Sequence, residues 1–142
     1  FSVDSQTVNF AETVSYRGIM FTGIPNMAWV YGYGRYSWTL RAELIAEFVC
    51  TLLQHMQERN LASVKPAMRP EDTDMQLLPW IDPQDMNAGY ALRGVDRMPK
   101  RGSKPEWQHS QDYLYEREVL PSVDFSDEIF VYTAARQHGQ HD

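Results

Sequence analysis

The sequence predicts an α+β chain that begins with short strands, continues through one long helix and ends in an irregular region with a terminal strand. Three observations predict this fold class. Apolar runs bounded by turn residues fill residues 1–35, apolar residues recur every three or four positions over residues 37–60, and prolines interrupt much of the remainder. With 43% hydrophobic and 13% aromatic residues, the chain is expected to fold.

The first region contains two apolar runs separated by a turn. Residues 18–23 form a short run bounded by glycines, which is typical of a strand buried on both faces. The next residues, Gly23 to Asn26, include Pro25 and have the chemistry of a turn. A second apolar run follows at residues 27–31. We therefore expect β-structure through residue 35.

Residues 37–60 predict a long amphipathic helix. Ser37 is a good N-cap residue and Asn60 a good C-terminal cap. Cys50 lies mid-helix beside apolar residues, so we expect it to pack in the core rather than to act as a reactive thiolate. The expected apolar stripe consists of Leu40, Leu44, Ile45, Phe48, Val49, Leu52, Leu53 and Met56.

The remaining residues, 61–142, are less regular. Prolines favour an extended segment over residues 63–70. Shorter patterns predict helices over about 88–97 and 110–120, a final strand over 128–132, and a fraying polar tail from residue 137. We expect two units, residues 1–60 and 61–142.

Composition argues against several classes of function. The net charge of -6 is unfavourable for nucleic-acid binding, which needs a basic face against phosphates. No apolar run reaches the roughly 18 residues of a membrane span. The single cysteine cannot form an internal disulfide, so we expect a cytoplasmic protein. Four histidines occur without an HExxH or CxxC pattern, so no metal site is expected.

Familiar catalytic motifs are missing from the sequence. There is no G-x-S-x-G elbow. Gly32 and Gly34 begin a G-x-G pattern, but Ser37 stands where a dinucleotide fingerprint needs its third glycine. The chain thus lacks a turn that could cradle a pyrophosphate, and a small independent enzyme is not favoured. The absence of an initial Met fits a piece of a longer protein.

An ordered series of segments resembles the C-terminal region of class B flavoprotein monooxygenases, particularly the Baeyer–Villiger type. The best matches are residues 21–28, 32–33, 37–44 and 48–50. Further matches follow in order at residues 69–72, 79–82, 89–90, 99–100, 107 and 111–114. Each segment alone is weak, but the ordered series is specific.

The resemblance implies an enzyme that uses FAD and NADPH to insert one oxygen atom from O2 into a ketone or aldehyde, or into a sulfur or nitrogen compound. In that family, both cofactors sit on Rossmann-like domains whose glycine fingerprints lie upstream of this region. Residues 1–60 would be the last strands and long helix of the FAD domain, and 61–142 a C-terminal extension. The upstream domains would be the partners of this chain, which alone would be inactive and bind neither cofactor tightly.

The resemblance also assigns candidate site residues. Residues of the turn and of the helix N-terminus would contact the flavin: Gly23, Pro25, Asn26, Ser37, Trp38 and Thr39. Helix N-termini carry unpaired N–H groups and partial positive charge, which suit the negative charge that reduced flavin gathers. Arg35 and Tyr36 stand where the family often has smaller residues, and would line the substrate side. On capping logic alone, Ser37 is better explained as a simple helix cap.

A second hypothesis is a non-catalytic oligomerisation or interaction module. A strand taken out of its parent sheet and a long apolar helix stripe would leave exposed apolar surface. Such a chain is expected to associate with copies of itself. The two hypotheses are compatible with each other.

Overall fold

A computed structural model describes residues 1–82, 84 and 89–136. One long helix, α1 (Trp38–Glu58), follows the N-terminal strands. The strands are β1 (Ser2–Val3), β2 (Gln6–Thr7), β3 (Ser15–Tyr16), β4 (Met20–Phe21), β5 (Leu61–Pro66), β6 (Leu77–Pro79), β7 (Lys100–Gly102) and β8 (Phe130–Ala134). The shorter helices are α2 (Gly89–Gly94) and α3 (Tyr113–Val119). Single 3-10 turns cover Phe10–Glu12, Pro70–Asp72, Val95–Arg97, Pro105–Trp107 and Leu120–Ser122.

The described strands form four separate antiparallel pairs. These are β1 with β2, β3 with β4, β5 with β8, and β6 with β7. The longest pair aligns Leu61 with Ala134 and Pro66 with Phe130, with an irregularity between Leu61 and Ser63. The chain is thus mixed α and β with small sheets, which agrees with the predicted α+β class.

Strand positions differ from the expected ones. Within residues 18–23 only β4 is a strand, although Ile19 is fully buried, as expected. Residues 27–31 form no strand, and the Trp29 amide instead donates to the Ile19 carbonyl at 2.7 Å. The last strand starts two residues late because residues 127–130 form a turn, in which the Phe130 amide donates to the Asp127 carbonyl.

Helix α1 matches its predicted position, but two of its apolar residues do not face the core. Asn60 follows the helix with a φ of 53°, a left-handed conformation that Asn tolerates well. Cys50 is exposed, and Leu53 is 57% exposed, so the prediction that both are packed is wrong. Two residues turn a helix by about 200°, which carries Cys50 away from the face of Phe48. The buried apolar residues of α1 are Leu44, Ile45, Phe48, Leu52 and Met56.

The core joins both halves of the chain. Helix α1 packs against β5, α3 and the 3-10 turn at Leu120–Ser122. Trp107, with no exposed surface, meets Tyr16 edge-on at 5.9 Å, and Phe130 meets the same ring at 5.1 Å. A smaller cluster consists of Phe21, Ile24, Trp80 and Ile81. The proposed division at residue 60 stays a prediction.

The second predicted helix and the polar tail extend beyond the residues that the structure describes. The second predicted helix is found as α2 followed by the 3-10 turn Val95–Arg97, while residue 88, its expected start, lies outside the described residues. The third predicted helix is found as α3 and the turn after it. The tail from residue 137 also lies outside them. Within the described ranges, no helix has the length and apolar character needed to cross a bilayer.

Candidate functional site

The N-terminus of α1 is open. Ser37 occupies the N-cap position, but its side chain makes no capping hydrogen bond to the helix backbone. Its Oγ atom instead lies 2.8 Å from Oγ1 of Thr39. Residues 37–39 are all exposed. The Leu40 amide donates to the Ser37 carbonyl at 3.2 Å, whereas the amides of Trp38 and Thr39 come too early in the helix to have an acceptor within it. The end of α1 therefore offers N–H groups and partial positive charge to an acceptor.

An aromatic platform adjoins this helix end. The indole of Trp38 packs directly on the backbone of Gly32, where a Cβ atom would clash with the ring. The ring of Tyr31 meets the indole edge-on at 5.8 Å. Trp38 is nevertheless 53% exposed. The platform, formed by Trp38 and Tyr31, thus packs on the Gly32 backbone on one side, while part of the Trp38 indole remains exposed to solvent.

The turn at residues 23–26 is attached to strand β5. Gly23 has a φ of 76°, which glycine adopts without strain, and its amide donates to the Pro66 carbonyl at 3.2 Å. Asn26 exchanges two hydrogen bonds with Val64: its amide donates to the Val64 carbonyl, and its Oδ1 accepts from the Val64 amide. Its Nδ2 donates to the Ala62 carbonyl. Pro25 is half-buried between these two anchors.

The predicted cofactor-binding residues therefore fall into two groups, which are held in place by different parts of the chain. Residues 23–26 are held by the backbone of β5, and Asn26 faces the same groove as Met56, near the far end of α1. Residues 37–39 are held at the opposite end of α1, beside Gly32. Their roles toward a cofactor stay predictions. The geometry makes residues 37–39 the more accessible group.

A cleft of about 550 Å³ lies next to the α1 N-terminus. Arg35 and Tyr36, the two predicted substrate-side residues, both line this cleft. On the other wall, Trp80 and His109 pack with ring centroids 4.4 Å apart, and His109 Nε2 lies 2.7 Å from the Trp80 carbonyl. Gln111 accepts a hydrogen bond from the Gly34 amide across the cleft edge. Aromatic walls with a few polar groups suit a small organic molecule.

Behind the platform lies a buried cluster of Arg41, Glu116 and Tyr33, called here the arginine–glutamate cluster. Arg41 has no exposed surface, and its Nε and Nη2 donate to the two Glu116 carboxylate oxygens at 2.9 and 3.0 Å. Its remaining donors reach the carbonyls of Tyr31 at 2.6 Å and Arg17 at 2.7 Å. Bidentate pairing with further carbonyl partners is what a buried guanidinium needs to offset desolvation.

Tyr33 completes this cluster. Its hydroxyl donates to Glu116 Oε2, and its ring lies 6.0 Å from the Arg41 guanidinium carbon. Burial raises the pKa of Tyr33 far above its ordinary value, and the hydrogen bond to Glu116 raises this pKa further. The phenol therefore stays protonated and remains a donor.

Sequence reasoning missed this cluster. The available signal was Arg41 itself, a charged residue three positions before Leu44 and four before Ile45 on the apolar face of the helix. A charge at such a position indicates a buried partner. Nothing in the sequence near α3 identified that partner as Glu116.

A second buried cluster, called here the aspartate cluster, surrounds Asp72. This carboxylate has no exposed surface and accepts from Arg69 Nε at 2.9 Å, Lys104 Nζ at 2.6 Å and Trp107 Nε1 at 3.1 Å. Burial alone would raise the pKa of Asp72, but these three donors outweigh burial and hold the pKa well below its ordinary value. Arg69 also reaches Glu106 at 2.6 Å.

The donors needed for a metal centre do not converge in the described part of the chain. No group of three or more His, Cys, Asp or Glu side chains within these residues is arranged to hold a metal ion. The carboxylates of both buried clusters are instead neutralised by arginine or lysine. Each of these carboxylates is therefore engaged in ion pairs.

Comparison with known proteins finds relatives that are named as FAD-containing or FAD-binding monooxygenases. No family model matches it, and no solved structure matches it. It is 36% identical over 127 residues to the FAD-containing monooxygenase EthA of Mycobacterium tuberculosis, covering 89% of this chain and 25% of that protein. It is 32% identical over 135 residues to the probable FAD-binding monooxygenase AlmA of an Acinetobacter species, covering 92% and 26%.

A third relative is the putative FAD-containing monooxygenase MymA of Mycobacterium tuberculosis, 31% identical over 135 residues that cover 95% of this chain and 26% of that protein. The chain spans about a quarter of the length of the curated relatives it matches. The resemblance found in the sequence is confirmed: the chain is similar to FAD-containing monooxygenases over 89% to 95% of its own length.

Proposed function

We propose that this chain is the C-terminal part of an FAD- and NADPH-dependent monooxygenase of the Baeyer–Villiger type. The whole protein inserts one oxygen atom from O2 into a ketone or aldehyde, or into a sulfur or nitrogen substrate. Upstream Rossmann-like domains hold both cofactors, and the isolated chain is inactive. Residues 1–60 complete the FAD domain in this proposal.

The observation that carries the proposal is the open N-terminus of α1. Its first-turn amides are uncapped by the Ser37 side chain, and the flanking Trp38 is 53% exposed. An exposed aromatic side chain beside unpaired amides fits the edge of a planar, electron-rich ring. This supports a flavin against residues 37–39, with the platform over part of the ring.

The residues of this chain have separable tasks in the proposed enzyme. FAD supplies the redox chemistry with O2 when it is bound. The amides of Trp38 and Thr39 stabilise negative charge on the ring, as oxyanion donors do. The cleft beside them, with Arg35 and Tyr36 on its wall, holds the organic substrate and limits access of water.

The decisive experiment uses the polypeptide that carries this chain together with its upstream sequence. We expect it to purify with FAD and to oxidise NADPH faster when a ketone or sulfide substrate is added. Replacing Trp38 with Ala should alter the visible spectrum of bound FAD. The matched control is Leu53→Ala, which removes another exposed apolar side chain of α1 and should leave the spectrum unchanged.

Two results would contradict the proposal. One is an upstream sequence with no dinucleotide-binding fingerprint. The other is tight FAD binding by the 142-residue chain alone in a fluorescence titration, since the chain lacks a phosphate-cradling glycine turn.

A second candidate function, self-association of the isolated chain, is favoured by one observation. An apolar groove between α1 and β5 is lined by Met27, Val49 and Leu53, and Leu53 is 57% exposed. Surfaces of this kind commonly mediate contacts between proteins. Light scattering on the isolated chain should reveal oligomers that Leu53→Glu disperses, and a monodisperse monomer would exclude this candidate.

A further inference from the structure

We propose that Glu116, on α3, is a positioning residue for the flavin-facing end of α1 and acts on it through Arg41. This inference rests on the proposed function. It concerns a side chain that touches neither cofactor nor substrate, and it makes the C-terminal extension responsible for the geometry of the site.

The route from Glu116 to the surface is a short series of direct contacts. Both carboxylate oxygens of Glu116 bind the guanidinium of Arg41, and Arg41 in turn binds the Tyr31 carbonyl at 2.6 Å. Gly32 follows Tyr31, and the indole of Trp38 rests on its backbone. One guanidinium thus connects the Glu116 carboxylate both to the loop on which the indole rests and to the first turn of α1.

Arg41 also holds the helix end from within. It lies three residues after Trp38, in the first turn of α1, and has no exposed surface. Its Nη2 bonds the Arg17 carbonyl as well as Glu116. Without the carboxylate, a buried cation would lack its counter-charge and would move toward water. That movement would carry the Tyr31 carbonyl and the platform with it.

The aspartate cluster provides an internal comparison for this assignment. Asp72 is as buried as Arg41, but its partners are Arg69, Lys104 and Trp107. Among the described residues, the ring contact of Trp38 is with Tyr31 and not with any of these three. Loss of charge at Asp72 should therefore weaken the fold without altering the platform. Loss of charge at Glu116 should do both.

The test compares Glu116→Gln, Glu116→Asp, Tyr33→Phe and Asp72→Asn in the complete flavin-containing polypeptide. We expect Glu116→Gln to weaken FAD binding about tenfold and to change the visible absorption and circular dichroism of bound FAD at saturating cofactor. Tyr33→Phe, which removes only one donor to Glu116, should give a smaller change of the same kind. Glu116→Asp should recover part of the native spectrum.

Asp72→Asn is the matched structural control, expected to lower the melting temperature while keeping FAD affinity within about twofold and the spectrum unchanged. If Glu116→Gln cannot be purified folded, Tyr33→Phe decides the question. The inference is overturned if bound FAD keeps its native spectrum in Tyr33→Phe and in every Glu116 variant that folds. It is also overturned if Asp72→Asn changes the FAD spectrum as much as the Glu116 variants do. An unsubstituted polypeptide that binds no FAD would instead overturn the proposed function itself.

Discussion

The two buried ion clusters both neutralise a buried carboxylate, but they differ in how far the neutralising cations are exposed to water. In the arginine–glutamate cluster both partners are withdrawn from water, with 0% of the Arg41 side chain and 4% of the Glu116 side chain exposed. Among the charged groups of the aspartate cluster only the acid is fully buried, while Arg69 remains 15% and Lys104 37% exposed. Arg41 and Glu116 therefore rely on each other to compensate their charges, whereas the cations of the aspartate cluster can also be hydrated by solvent.

This difference decides what each cluster tolerates. Removing one member of a closed pair strands a charge in a low-dielectric interior. Removing the acid from an open cluster leaves cations that water can still hydrate. The closed cluster also lies behind the exposed helix end, while the open one joins the 3-10 turns at Pro70–Asp72 and Pro105–Trp107. The helix end at the candidate site is thus supported by the cluster that is less tolerant of losing a charged partner.

The largest expected effect is on replacing Glu116 with Gln. Arg41 would then keep only neutral partners, and we expect the free energy of unfolding to fall by about 3–5 kcal/mol. Urea denaturation of the isolated chain measures this loss. The double variant Arg41→Met/Glu116→Leu should be more stable than either charge-stranding single change. A loss below about 1 kcal/mol in Glu116→Gln would mean that the pair is not closed to water.

A smaller loss is expected for Asp72→Asn. The neutral amide keeps the shape of the carboxylate but weakens hydrogen bonds from two cations, and such bonds contribute about 1.5–3 kcal/mol each at most. Because Arg69 and Lys104 can rehydrate, we expect a total of about 2 kcal/mol in urea denaturation. A loss equal to that of Glu116→Gln would remove the distinction between the two clusters.

The aspartate cluster also predicts how stability depends on pH. In the folded chain the pKa of Asp72 is lowered, because its donors outweigh burial, and the pKa of Glu106 is lowered as well. A lowered pKa contributes stability that is complete above the unfolded-state value, about 3.9 for Asp, and is lost as pH falls further. Native chain should therefore lose stability below about pH 4 more steeply than Asp72→Asn does. Parallel profiles would contradict the assignment.

A still smaller change tests one donor of the same cluster. Replacing Trp107 with Phe keeps an aromatic ring against Tyr16 but removes the Nε1–H that donates to Asp72. We expect a loss of about 1–2 kcal/mol, combining one hydrogen bond with some lost packing. Combining this change with Asp72→Asn should cost less than the sum of the two, since Trp107→Phe removes the bond that Asp72→Asn weakens. Full additivity would show that the charge of Asp72 does not strengthen this bond.

The sequence was sufficient for features set by local periodicity. The α+β class, the position of α1 and the turn at Gly23 follow from patterns within a few residues of each other. The Arg41–Glu116 pair spans 75 positions, and no local pattern connects its members. The predicted flavin-facing residues came from family resemblance, and their separation into a turn held by β5 and a helix end behind Tyr31 required tertiary structure. Strand limits were predicted incorrectly where a turn uses the backbone donors that a strand would need. In residues 127–130, for example, the Phe130 amide donates to the Asp127 carbonyl.

The smallest expected effect concerns Cys50, whose placement differed from prediction. An exposed cysteine on the outer face of α1 makes no buried contact to lose, so Cys50→Ser should change the free energy of unfolding by less than about 0.5 kcal/mol. In the folded chain the thiol should also react with a thiol reagent at nearly the rate seen in urea. Leu52→Ala, two positions away on the buried face, is the control and should cost about 2–5 kcal/mol. Strong protection of Cys50 from the reagent in the isolated chain would mean that another surface, such as a second copy, covers this face of α1.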